Sequence, residues 1–199
     1  VDPSTLPVLK SPRACGADIA CGDAQSLGIP LSVGGPYVGF LAVTQPLLRK
    51  MPGRICGITN DVDGRRGFVL TFQAREQHIR REKANSNICS NQSLMALYVT
   101  IYMSMLGKQG MKEVAMRAYN NAHYLYEMLL ATKLFKKANN HPFFKEFVLE
   151  YDGDAKKLNE TLLKDNILGG VEIDNHQLLF CATETKSKAE IDAFVRKVS

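Results

Sequence analysis

The five cysteines of this 199-residue chain include no Cys-x-x-Cys step and make an odd number. Cys15, Cys21, Cys56, Cys89 and Cys181 lie scattered along it. That pattern argues against a disulfide framework and against a zinc site, and reduced thiols in a cytosolic protein are the simpler account. Charge of one sign is also scarce, the net charge being only +5. A nucleic-acid binder would carry a stronger basic face. Long apolar runs are missing too. No charge falls between Lys83 and Lys108, but Ser90, Asn91, Gln92 and Ser93 interrupt the front of that stretch. Only Leu94 to Leu106 is strongly apolar, short of the roughly 20 residues a membrane span needs, and it reads as a buried core helix. The opening "VDPSTLPVLKSPRACG" lacks the basic-then-apolar layout of a signal peptide. Neither an internal repeat nor a low-complexity tract is present.

What is there is ordinary globular material, 45% hydrophobic and 23% charged. The length allows one or two domains with a sizeable core. Ala17 to Cys21 and Tyr37 to Val43 read as two apolar strands of the kind found inside an α/β sheet covered on both faces. "TQPLLRKM" reads as a short helix with Pro46 near its start, and Phe68 to Phe72 as a third strand. The run Asn85–Ser86–Asn87 offers N-caps for a helix extending to about Leu106. "GKQG" breaks it, and a second long helix follows from about Met111 to Thr132. The pattern then changes to a strand at 144–151, a helix at 155–165, a hairpin turning at Asp174–Asn175, and a closing helix at 188–198. These readings place a domain boundary near residue 105. Residues 1–105 form the end of a larger sheet domain, and residues 106–199 form a small α/β domain. Three apolar strands do not complete a sheet domain, so the chain reads as the C-terminal part of something longer.

Two stretches carry chemistry. Gly34 and Gly35 in "SVGGPYVG" permit positive φ or a close backbone approach to a ligand, and a tight turn explains them equally well. In "AREQHIRREKANSNICSNQ", Arg75, His78, Arg80, Arg81 and Lys83 precede the small polar run. A solvated helix face with a Glu76–Arg80 pair explains the charges. A helix start behind fixed cations is also a place for phosphate or carboxylate. The tyrosines and methionines of the long helices read as core, and His123 and His141 have no evident partner.

Taken together, "GDAQSLGIPLSVGGPYVGF", "MPGRICGITNDVDGRRGFVLTFQAREQHIRREKANSNICSNQ" and the helices after them resemble the glycine cleavage system P-protein family, glycine dehydrogenase (decarboxylating). The likeness is to the non-catalytic subunit 1 of its split form. It implies the aspartate-aminotransferase-like α/β architecture of fold type I pyridoxal-phosphate (PLP) enzymes. In the PLP-bearing half of that family a His-Lys step lies ahead of a glycine-rich turn. Aligning that turn with Ser32–Pro36 puts Ala24 and Gln25 at those two positions. A glutamine cannot form the covalent imine link, so the resemblance implies no catalytic residue in this chain and PLP held by a partner.

The resemblance further implies cofactor-phosphate contacts from Asn85, Ser86, Asn87, Gly34 and Gly35. Interface or anion-binding roles fall to Arg54, Arg75, His78, Arg80, Arg81 and Lys83, and the Arg65–Arg66 pair either meets the partner or anchors its loop opposite Asp61 and Asp63. The expected assembly is a cytoplasmic heterotetramer with a PLP-bearing subunit 2. It would act on glycine with the lipoyl arm of H-protein as acceptor, and use no metal, nucleic acid or membrane. The chain alone is expected to be inactive. Rival readings are an autonomous PLP enzyme using another lysine, and a basic binding module.

Overall fold

The computed structural model describes residues 1–53, 55–71, 80–84 and 92–199. The chain divides into two compact units, Val1–Pro3 with Lys10–Met105, and Ser4–Leu9 with Leu106–Ser199.

In the first unit β1 (Ile19–Asp23) pairs with β2 (Gly39–Val43) as an antiparallel ribbon, Cys21 opposite Leu41. A second ribbon joins β3 (Ile55–Asn60) to β4 (Arg66–Thr71), Ile58 opposite Phe68. The expectation of sheet-interior strands is corrected on two counts. The pairing is antiparallel, because the segment 24–38 is a turn-rich loop without the crossover helix a parallel neighbour requires. No residue of either strand is buried: β1 alternates between exposed and half-buried residues, and β2 mixes the two. β3 has no counterpart in the sequence reading, although Asp63–Gly64 between two β-prone runs is a hairpin signal. Asp61 closes that turn through its backbone and carboxylate, which accepts from the N–H groups of Asp63 and Arg65 at 2.9 and 2.8 Å. A short 3-10 helix, Gln45–Lys50, carries Pro46 at its start as expected.

Helix α1 spans Ser93–Ala131 and is broken at Gly107 alone, with φ 60° and ψ −173°. That backbone region belongs essentially to glycine. The broader break expected over "GKQG" is thereby corrected. Gly110 lies within the helix, where an added Cβ would sit 3.1 Å from the Cβ of Leu106. The apolar stretch ahead of the break is not the buried helix its composition suggests, since Leu94 and Met105 are 68% and 82% exposed. No helix among the described residues is long and apolar enough to cross a membrane.

The second unit has a four-stranded antiparallel sheet, β5 (Phe135–Lys137), β6 (Glu146–Tyr151), β7 (Val171–Glu172) and β8 (Gln177–Cys181), in the order β5-β6-β8-β7. Helices α2 (Ala155–Lys164) and α3 (Lys188–Val198) complete it. Period-2 alternation turns Phe147, Leu149, Leu178 and Phe180 to one face. Ala122, Leu125 and Leu129 of α1, Leu162 of α2, and Ile191 and Val195 of α3 pack there in one core. Leu129, Leu149 and Leu178 are fully buried, each stabilising by about 1.5–3 kcal/mol.

Both short helices are capped as their sequences dictate. Asp154 accepts from the Lys157 N–H at 3.1 Å, and Ser187 with Glu190 forms a capping box. His123 lies between the rings of Tyr119 and Phe143, centroids 4.0 and 4.2 Å away, with Nε2 3.3 Å from the Phe143 carbonyl. It is a half-buried histidine held in an aromatic stack. The His141 backbone N–H donates to Asn139.

Candidate functional site

The loop after β1 carries Gln25, the position expected to lack the PLP lysine. Asp23 begins it as an Asx turn, its carboxylate accepting from the Gln25 N–H at 2.6 Å. Gln25 and Ile29 then clasp each other twice. The Ile29 N–H donates to the Gln25 carbonyl at 3.1 Å, and the Gln25 side-chain amide donates to the Ile29 carbonyl at 2.7 Å. Ala24, Leu27 and Ile29 are buried. Gly28, at φ +88°, lies so close to the Tyr102 ring that a Cβ would fall 2.4 Å from it. Both the positive φ and this approach demand glycine. Ser26 ties the loop to Asp2 at 2.8 Å.

This loop tests the cofactor directly. A neutral amide is no nucleophile, and the Gln25 amide is already committed to a backbone carbonyl. The residues present do not fit a covalently held PLP. Lys10 and Lys50, the lysines nearest in sequence, are exposed. Among the described residues no group of His, Cys, Asp and Glu side chains is placed to hold a metal.

Gly34 and Gly35 sit at φ +120° and +114°, following Ser32 and Val33, which are also left-handed at +44° and +47°. Nothing lies within 4 Å of a Cβ added at Gly34. The glycine there answers to the turn rather than to packing. The Tyr37 hydroxyl donates to the Leu31 carbonyl across this turn.

Arg81, Glu82 and Lys83 form a 3-10 turn, with Arg81 itself at φ 51°. Arg80, Arg81 and Lys83 are all exposed. Arg54, Arg75, His78, Asn85, Ser86 and Asn87 lie outside the described residues, as does the Glu76 end of the Glu76–Arg80 pair. The structure therefore brings the Gln25 loop and the glycine turn into one unit, both within the segment 24–38 that joins β1 to β2. The pairing of Gln25 with Ile29 went unread in the sequence, as did the role of Tyr102. The Asx signal at Asp23 was legible, whereas the approach of Tyr102, far along the chain, was not.

A sequence profile of the glycine cleavage system P-protein matches residues 1–198. The chain belongs to the glycine cleavage system P-protein family. It is 52% identical to a probable glycine dehydrogenase (decarboxylating) subunit 1 of Desulforamulus reducens, over 100% of this chain and 46% of that one. A crystal structure of glycine decarboxylase (P-protein) of the glycine cleavage system, in inhibitor-bound form, superposes with a TM-score of 0.92 at 42% identity. That match covers 99% of this chain and 46% of the other. The chain thus spans somewhat less than half the length of these relatives. A phosphoserine aminotransferase from Cytophaga hutchinsonii shares the fold at 13% identity and TM-score 0.60, over 98% of this chain and 52% of its own. The architecture is that of fold type I PLP enzymes, as the sequence resemblance implied.

Proposed function

We propose that this chain acts within the non-catalytic subunit of a two-subunit glycine decarboxylase. The assembly would release CO2 from glycine and pass the remaining aminomethyl group to the lipoyl arm of H-protein, with PLP held covalently by the partner subunit. The observation that carries this reading is Gln25, an amide locked to Ile29 where a lysine would have to stand. PLP supplies an electron sink for decarboxylation when bound; this chain's residues supply scaffold and interface instead. Gln25 holds its loop shut, and the Gly34–Gly35 turn directs the chain into β2. The exposed cations Arg80, Arg81 and Lys83 present positive charge for a partner or an anion. Among the described residues Cys15, Cys21 and Cys56 are free thiols, which suits a cytoplasmic assembly.

The test is glycine-dependent CO2 release with PLP and lipoylated H-protein, using the full-length chain alone, its PLP-bearing partner alone, and the two mixed. Activity is expected only in the mixture. Turnover by this chain alone would overturn the reading and direct attention to another lysine. Salt-sensitive retention on DNA or RNA would favour a basic binding module instead.

A further inference from the structure

The chain crosses between its two units at Pro3–Ser4, at Leu9–Lys10 and at Met105–Leu106. These crossings differ in stiffness. The last lies beside Gly107, whose φ 60° and ψ −173° interrupt α1, and a helix broken at a glycine bends there readily. The first runs through the 3-10 turn Pro3–Thr5, where the proline ring fixes φ.

Both ends of that turn are held. Within the first unit, the Ser26 hydroxyl of the Gln25 loop donates to the Asp2 carboxylate at 2.8 Å. Within the second, Ser4 and Thr5 are buried, and the Lys145 ammonium donates to the Ser4 hydroxyl at 3.3 Å. The N–H groups of Val8 and Leu9 donate to the Thr5 carbonyl at 3.2 and 3.0 Å, and both residues line an apolar cleft with Met116, Tyr119, Phe143 and Phe144. Between the anchored side chains of Asp2 and Ser4 only Pro3 intervenes.

We propose that the segment Asp2–Leu9 couples the second unit to the Gln25 loop, so that displacing that unit pulls on Asp2 and loosens the clasp between Gln25 and Ile29. The inference concerns this chain alone and does not rest on the two-subunit reading. Hydrogen exchange of the full-length chain tests it at the N–H groups of Gln25, Leu27 and Ile29, which donate to Asp23, Ala24 and Gln25. Leu149→Ala, in the sealed core of the second unit, raises the population of that unit's open form. Exchange at the three loop amides is expected to speed by roughly tenfold or more, and at amides of the β1–β2 ribbon by less than about twofold. Asp2→Ala and Ser26→Ala each remove one end of the bond. With either in place, the loop amides should respond to Leu149→Ala by less than about twofold. Loop amides indifferent to Leu149→Ala in the otherwise unaltered chain would overturn the proposal. Equal speeding throughout β1–β2 would place the coupling in general packing and overturn it too. So would a loop response that survives either Asp2→Ala or Ser26→Ala.

Discussion

The two units are built from comparably apolar sequence and use it in opposite ways. Residues 106–199 close a core of their own: three helices cover one face of β5-β6-β8-β7, and Leu129, Leu149 and Leu178 are sealed from solvent. In residues 10–105 the buried apolar side chains among those described are Ala24, Leu27, Ile29 and Val99, three of them in the Gln25 loop. Leu97, Ile101, Ile58 and Phe68 are exposed. An apolar residue thus contributes stability only where the fold supplies a surface for it, and the first unit leaves much of that surface open. The same unit carries the Gln25 loop.

This contrast can be broken or sharpened by experiment. The largest effect is expected in the closed core. Leu149→Ala should cost about 2–5 kcal/mol in urea unfolding, whereas Leu97→Ala should stay within about 0.5 kcal/mol in the chain alone. Equal costs would erase the distinction between the units. Next comes the one tightly built part of the first unit. Gly28→Ala meets both a left-handed φ and the Tyr102 ring, and is expected to destabilise by about 1–3 kcal/mol. Pairing it with Tyr102→Ala should recover the steric part and leave the backbone strain. Ser187→Ala removes the α3 capping box, and a loss near 1 kcal/mol is expected in the second unit's unfolding.

The smallest effect is that of acid. The Lys157 N–H holds the Asp154 carboxyl below its usual range. The Ser187 N–H and then its hydroxyl do the same for Glu190. For Asp192 the Lys188 ammonium leads, followed by the Tyr124 hydroxyl. Carboxylates depressed in the folded state stabilise fully above their ordinary pKa near ~4, and that stability drains away as pH falls through the lower folded values. Unfolding midpoints for the second unit should therefore drop on acidification from about pH 5 to pH 2. Asp154→Asn should flatten that fall, and an unchanged acid limb would remove the caps from the account.

Most of the second unit was legible in the sequence because its signals are local. Ser187 with Glu190, Asp154 ahead of an amphipathic turn, and Asp174–Asn175 between two β-prone runs each encode an element through neighbours a few residues away. β5 was missed because three residues are too few to show a period. In the first unit composition misled, since the apolar make-up of 94–106 reports that a helix suits burial and not what covers it. That position 25 carries an amide was legible in the sequence; its second bond to Ile29 needed the loop's shape.

The sequence by itself determined the family and the short local elements of the second unit, such as α2 and α3. Each of these depends on residue identity and short-range spacing. Only the tertiary structure decided that Gly28 must pass against Tyr102, that Gly107 alone interrupts α1, and that Ile58 and Phe68 stand in the open on one face. Those facts depend on which distant residues meet, a matter of long-range packing that no local pattern records.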